Sequence, residues 1–291
     1  MRFKLIIALW CGFLMISANA STSDEPPATG NFALPRSQRP ASFYSFGSNI
    51  IDKGQLLART TPNLFKTTEA RYIGSGATLL YGTSSNSSLL FSLPMTPSSK
   101  DRHEEHSGFG DGGLQGEYAF YQHSSVKDTE QAAIISGFTL PSGTSRIGVG
   151  TFSYFIGGVY HHVWKDWVWF AAPGLLQFRG NPTIRLAPRG YYELGVGRNI
   201  AAQSGEYIFT GFLEVNGQYD GKNPSRTPVT RSSGGSVLSD GNLLFFSPSL
   251  WLSTQHWAFE FGVSLPITQH WIGTRNQVNY YLGSAVAYTF N

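Results

Sequence analysis

Four glutamates stand inside otherwise apolar stretches of this 291-residue chain: Glu117, Glu193, Glu214 and Glu260. A carboxylate in such company serves as an acid or base, holds a ligand, or points at hidden water. Other groups invite chemistry as well. "YQHSSVKD" sets His123 two residues from Ser125, a spacing that puts both on one face of a strand and lets His activate Ser. No convincing third group is visible to orient the imidazole. "HEEH" gathers His103, Glu104, Glu105 and His106, but without the spacing or helical frame of a zinc site. It is expected to be a solvated loop. His161 and His162 lie in an aromatic strand, where hydrogen bonding at a membrane interface accounts for them. Neither "GSGA" nor "SSGGS" is followed by the lysine and helix of a phosphate loop.

What must position these groups is a series of extended segments. In "WAFEFGVSLPIT", Phe259, Phe261, Val263, Leu265 and Ile267 alternate with Glu260, Gly262, Ser264 and Pro266. A strict period of two marks a strand with unlike faces. Twelve such segments follow one another: 54–69, 72–83, 87–96, 110–124, 130–143, 151–164, 167–178, 186–200, 206–220, 241–254, 257–268 and 276–290. None has convincing helical spacing. Short connectors such as "SSNS" and "KD" contrast with long ones such as "TPSSKDRHEEHSGFGD" and "GKNPSRTPVTRSSGGSVLSDG". An even number of strands joined by tight turns at one end and long loops at the other describes an outer-membrane barrel.

The faces agree with that reading. Tyr207, Phe209, Leu213, Val215 and Tyr219 oppose Thr210, Glu214, Asn216, Gln218 and Asp220. Leu114, Tyr118 and Phe120 oppose Gln115 and Glu117; Tyr192, Leu194 and Val196 oppose Tyr191 and Glu193. The last segment sets Tyr280, Leu282, Val286, Tyr288 and Phe290 against Asn279, Gly283, Ala285 and Thr289. Segments 130–143 and 151–164 are less tidy. Trp164, Trp167, Trp169, Trp251, Trp257, Trp271, Tyr280 and Tyr288 sit near segment ends, where two interfacial girdles are expected.

Composition points the same way. Charged residues make up only 13% and aromatics 14%, with 33 glycines. Soluble domains carry about 25% charged residues. A secreted sandwich would share this composition, so the face pattern and the girdles decide for the membrane. Arg2 and Lys4, an apolar run from Leu5 to Ile16 and "SANA" describe a signal peptide over residues 1–20. Its removal would take the only cysteine, Cys11, and bring the formal charge from +3 to +1. Nucleic-acid binding demands a basic excess and is excluded. Residues 21–52 read as an irregular segment, periplasmic or tucked into the lumen, and 53–291 as the barrel.

The phrases "GFGDGGLQGEYAFY", "SGFTLPSG", "GYYELGVGRNI", "FLEVNGQYDGK", "LLFFSPSLWLS", "AFEFGVSLPIT" and "YYLGSAVAYTF" occur in that order. The chain from about 54 to 290 resembles the phenol-degradation MetA-pathway outer-membrane transporter family. The resemblance implies a barrel that passes small, often aromatic or apolar, compounds, and it implies no catalytic residues. The end, with Tyr288 and Phe290 on one face, looks like the signal by which barrels are handed to their assembly machinery. Asn291 departs from the usual final aromatic.

The expectation is therefore an all-β, antiparallel transmembrane barrel of about twelve strands, conducting small solutes without cofactor, metal or catalysis. Its lumen-facing candidates are Gln115, Glu117, Glu193, Glu214, Asn216, Gln218 and Glu260, with Arg59 a partner for the acids. They would line the path or prop the interior. Its partners would be outer-membrane lipids, the assembly machinery and a small-molecule solute. Two alternatives stand beside it. One is a lipid hydrolase built on His123 and Ser125, although Val126 replaces the Asn of the His-x-Ser-Asn stretch in outer-membrane phospholipase A and the lipid A deacylases. The other is a closed barrel whose loops make host contacts.

Overall fold

The computed structural model describes residues 30–43, 46, 50–100, 104–125, 128–145, 147–179, 186–221, 241–271 and 277–290. Twelve antiparallel strands close on themselves. They are β1 (Leu56–Thr60 and Asn63–Thr67), β2 (Arg71–Ser84), β3 (Ser87–Lys100), β4 (Glu105–Phe109 and Gly113–Ser124), β5 (Asp128–Thr139) and β6 (Ser153–Trp164). The second half is β7 (Trp167–Phe178), β8 (Arg189–Gln203), β9 (Tyr207–Asp220), β10 (Gly241–Thr254), β11 (Trp257–Trp271) and β12 (Val278–Phe290). Each pairs with its sequence neighbours. The seam forms where β1 meets β12, from Leu56 opposite Phe290 to Thr60 opposite Val286. A closed ladder leaves no open edge in hydrocarbon, where an unpaired backbone group costs several kcal/mol. Pro62, which has no N–H to give, interrupts β1, and its carbonyl still accepts from the Ser284 amide at 2.9 Å.

The alternation reads out as two environments. Phe261 is 58% exposed and Leu194 63%, whereas their neighbours Glu260 and Glu193 are 4% and 5% exposed. The exposed greasy list faces outward, and the buried polar list faces the bore. The opposite arrangement would place carboxylates in lipid at a cost of a few kcal/mol each.

Connectors sort by end. Turns at Ser85–Asn86, Lys165–Asp166 and Gln255–His256 are tight, and all lie at the end that carries the start of β1 and the finish of β12. The connections after β5, β7 and β9 at the opposite end are long, while that between β1 and β2 is short. At the short-turn end, Trp164 and Trp167 each stack with Trp169 at 6.4 Å, and Trp257 and Phe290 each pack on Tyr288 at 4.8 Å. Exposed Phe109, Phe138, Tyr154 and Tyr219 lie toward the other end.

Several expectations need correction. "HEEH" is not wholly a loop: Glu105 and His106 belong to β4, opposite Lys100 and Ser99 of β3. The hairpin continues past the apolar band with polar residues on both faces, so no period marks it. Trp251 is not in a girdle; at 6% exposure it points into the lumen opposite Glu260. Asn279 is exposed and Val278 buried, because a bulge between Val278 and Tyr280 reverses the parity there. The signal-peptide segment, His103, Asn291, most of the "GKNPSRTPVTRSSGGSVLSDG" connector and the Trp271 side chain lie outside the described residues.

Candidate functional site in the barrel lumen

The lumen is not empty bore. Residues 30–43, 46 and 50–55 run through it, and their hydrogen bonds trace the route. Asn31 Nδ2 donates to the Lys165 carbonyl at 3.0 Å, in the β6–β7 turn. The Gly205 amide donates to the Ala33 carbonyl at 2.9 Å, in the β8–β9 turn. Arg36 donates to the Ser85 carbonyl at 2.8 Å, in the β2–β3 turn, and to the Gln131 side chain on β5. The Gln38 amide meets the Thr289 hydroxyl at 2.6 Å, and Ser253 Oγ donates to the Gln38 carbonyl at 2.7 Å. This stretch is thus tied around the short-turn mouth and crosses it. Polar, Pro-containing sequence suits such a path: among the described residues it forms two single-turn 3-10 helices, and Asn31, Arg36 and Gln38 spend polar groups on the wall.

Farther in, two phenylalanines wedge against opposite parts of the wall. Phe43 lies over Gly262 and Gly283, which face each other across β11 and β12. A Cβ at either position would come within 2.8 and 2.6 Å of the Phe43 ring. Phe46 lies over the facing pair Gly157 and Gly174, where a Cβ would approach the ring to 3.0 and 2.9 Å. Glycine is required at these seats because no side chain leaves room for the ring. Phe46 also meets Phe155 edge-on at 4.7 Å.

The polar candidates surround this segment. Glu214 is fully buried and accepts the Phe43 amide at 2.7 Å. Glu260 pairs with Arg59 at 2.9 Å. Asn216 Nδ2 donates to Ser247 Oγ at 3.1 Å, and Ser247 Oγ lies 2.7 Å from Ser264 Oγ. Glu117 is buried on β4 and its charge is felt at Arg36. Gln115 Nε2 reaches the Phe46 carbonyl at 3.4 Å. Gln218 Nε2 donates to Asp220 at 2.8 Å, and Asp220 also holds Arg189 at 2.5 Å. All seven candidates face inward. Sequence reading missed their counter-charges Arg36 and Arg39, which lie on the threaded segment.

Among the described residues, two sizeable chambers lie beside the segment. One, about 470 Å³, lies toward the short turns and is lined by Arg36, Arg39, Arg59, Trp251, Glu260 and Tyr281 among others. The other, about 400 Å³, lies toward the long loops under Phe155, Tyr191, Phe245, Glu193, Asn216 and Gln218. Phe46 and Gln115 border both. The Trp251 indole N–H and Glu260 Oε1 are buried without a protein hydrogen-bond partner.

Neither the protein-family profiles nor the curated proteins contain a match to this chain. Solved structures do match. The COG4313 outer membrane channel from Pseudomonas putida F1 aligns with a TM-score of 0.62 at 12% identity, covering 86% of this chain and all of that one. The NanC porin gives 0.45 at 9% identity over 80% of this chain and 99% of the porin. LpxR from Salmonella typhimurium gives 0.44 at 11% identity over 81% and 100%. The chain shares the closed β-barrel fold of the COG4313 outer membrane channel.

Within that fold the remaining candidates, His161 excepted, fall outside the lumen. His123 ends β4 exposed, and Ser125 stands exposed in the following turn, its amide donating to the Asp128 carbonyl at 2.7 Å. Glu104 and His106 pair with each other at 2.9 Å beyond the apolar band. His161 is directed inward, while its neighbour His162 faces outward beside Trp169, with ring centroids 5.1 Å apart.

Proposed function

We propose that this chain is a passive outer-membrane conduit for small solutes, apolar and aromatic ones among them, held closed by its own N-terminal segment. One observation carries the reading: the bore is obstructed by a stretch of N-terminal chain packed against inward wall side chains such as Phe170 and Phe212, and not by the wall's own side chains alone. Barrels built only for rigidity fill their interior with wall residues. Here two chambers flank the threaded segment and share the Phe46 border. The long-loop chamber offers aromatic walls with Glu193, Asn216 and Gln218 as polar points. The other is lined by Arg36, Arg39, Arg59 and Tyr281, which suit a solute with one hydroxyl or carbonyl.

The MetA-pathway likeness read in the sequence supports the same solute class. Residues 1–20 act as the export signal and the β12 end engages the assembly machinery. The short-turn end faces the periplasm, as tight turns do in this fold. The decisive measurement uses vesicles with a lipopolysaccharide outer leaflet, which resists apolar compounds. A variant lacking residues 30–51 should take up a labelled monocyclic aromatic at least tenfold faster than empty vesicles, and the full chain more slowly than the variant. Uptake no faster than empty vesicles by both proteins overturns the conduit.

A further inference from the structure

The outer wall carries a group of ionisable side chains that the conduit does not use. Asp128 opens β5, Glu130 follows on the same face, and His162 stands opposite Glu130 on β6. His162 Nε2 lies 2.5 Å from Asp128 Oδ1 and 4.0 Å from Glu130 Oε1. Tyr121 donates its hydroxyl to Glu130 Oε2 at 3.1 Å. The rings of Tyr121, Tyr160, Trp164 and Trp169 are exposed around them. Two carboxylates on a lipid-facing wall run against the rule that this surface is apolar. They are tolerable because they sit at the short-turn girdle, the depth of the headgroups.

A second observation lies beside them. Asp128 faces Trp164 across the strands, and Lys165 folds its ammonium over the Trp164 ring at 5.7 Å. The spot thus presents an acidic pair next to one lysine, all framed by aromatic rings. That is the complement of a zwitterion carrying an amine beside a phosphate. We propose that this patch binds the headgroup of a primary-amine phospholipid, phosphatidylethanolamine, from the leaflet at the short-turn end. Asp128 and Glu130 accept hydrogen bonds from the ammonium, Lys165 meets the phosphate, and the rings hold the cation by their faces. His162 braces Asp128. What covers the patch follows from its place: an outer wall at girdle depth faces the headgroup layer.

The test is native mass spectrometry of the full chain released from detergent, with phosphatidylethanolamine and phosphatidylglycerol of identical acyl chains in equal amounts. The ethanolamine lipid should be retained about tenfold better, a difference of about 1.4 kcal/mol. Asp128→Asn with Glu130→Gln should abolish that preference, and Lys165→Ala should weaken retention of both lipids. A heat-dependent gel shift verifies that each variant is a folded barrel. Equal retention of the two lipids by the wild type, or an unaltered preference in the double variant, overturns the proposal. So does capture of zinc or manganese ions that evicts the lipid, which would make the triad a metal site. Aromatic uptake by the double variant should match wild type, so this result stands apart from the conduit reading.

Discussion

Glu260 and Phe261 are chain neighbours in different solvents. The phenylalanine touches hydrocarbon, and the glutamate touches Arg59 and the chamber. Substitutions should therefore act oppositely at adjacent positions. Phe261→Arg places a charge in the apolar band, at a cost of about 2–4 kcal/mol at mid-depth. Urea unfolding in lipid vesicles should show that loss or a failure to assemble. Glu260→Gln keeps the shape but leaves Arg59 without its counter-charge, and it should cost less, on the order of 1–2 kcal/mol given that Arg59 is partly solvated. Equal losses at the two sites would contradict the two-solvent arrangement.

At the scale of the element, the wall and the threaded segment are fitted by paired glycines. Gly283→Val puts a side chain where the Phe43 ring now lies, so the ring must leave its seat. Strand geometry itself tolerates valine well. The barrel should stay folded while the segment loosens, and single-channel recordings should show a several-fold rise in open probability. A closed, unaltered trace would mean that Phe43 does not hold the segment in place. These fits also mark where the sequence stops being legible. The twelve strands were readable because a wall between two solvents imposes period two on every segment, and the luminal candidates need only that parity plus a polar type. The bulge before Tyr280 hid the true facing of Asn279, since one extra residue reverses parity and leaves no local sign. Trp251 misled because an amphipathic ring suits both an interface and a lined chamber. The path of residues 30–55 was beyond reach, because each anchor joins residues far apart, Gln38 to Thr289 or Phe43 to Glu214. The grouping of Asp128 and Glu130 with His162 escaped notice for the same reason: they come from two strands and meet only through register.

For the whole molecule, the segment and the wall form one electrostatic unit. Among the described residues, the wall buries Glu117, Glu193, Glu214 and Glu260, while Arg59 from the wall and Arg36 and Arg39 from the segment line the chamber beside Glu260. Excising residues 30–51 removes both segment arginines and not one acid. The remaining wall is then net negative in a narrow bore, where low-dielectric surroundings strengthen its field. Acid rings select cations. The excised barrel should therefore be cation-selective under a salt gradient, with potassium favoured several-fold over chloride in the reversal potential. Glu193→Gln and Glu260→Gln should each lower that ratio. High salt should compress it, because the Debye length falls from about 10 Å at 0.1 M to about 3 Å at 1 M. An anion-selective pore would mean that arginines of the wall, not its glutamates, govern the bore. The segment would then be an obstruction without an electrostatic part to play.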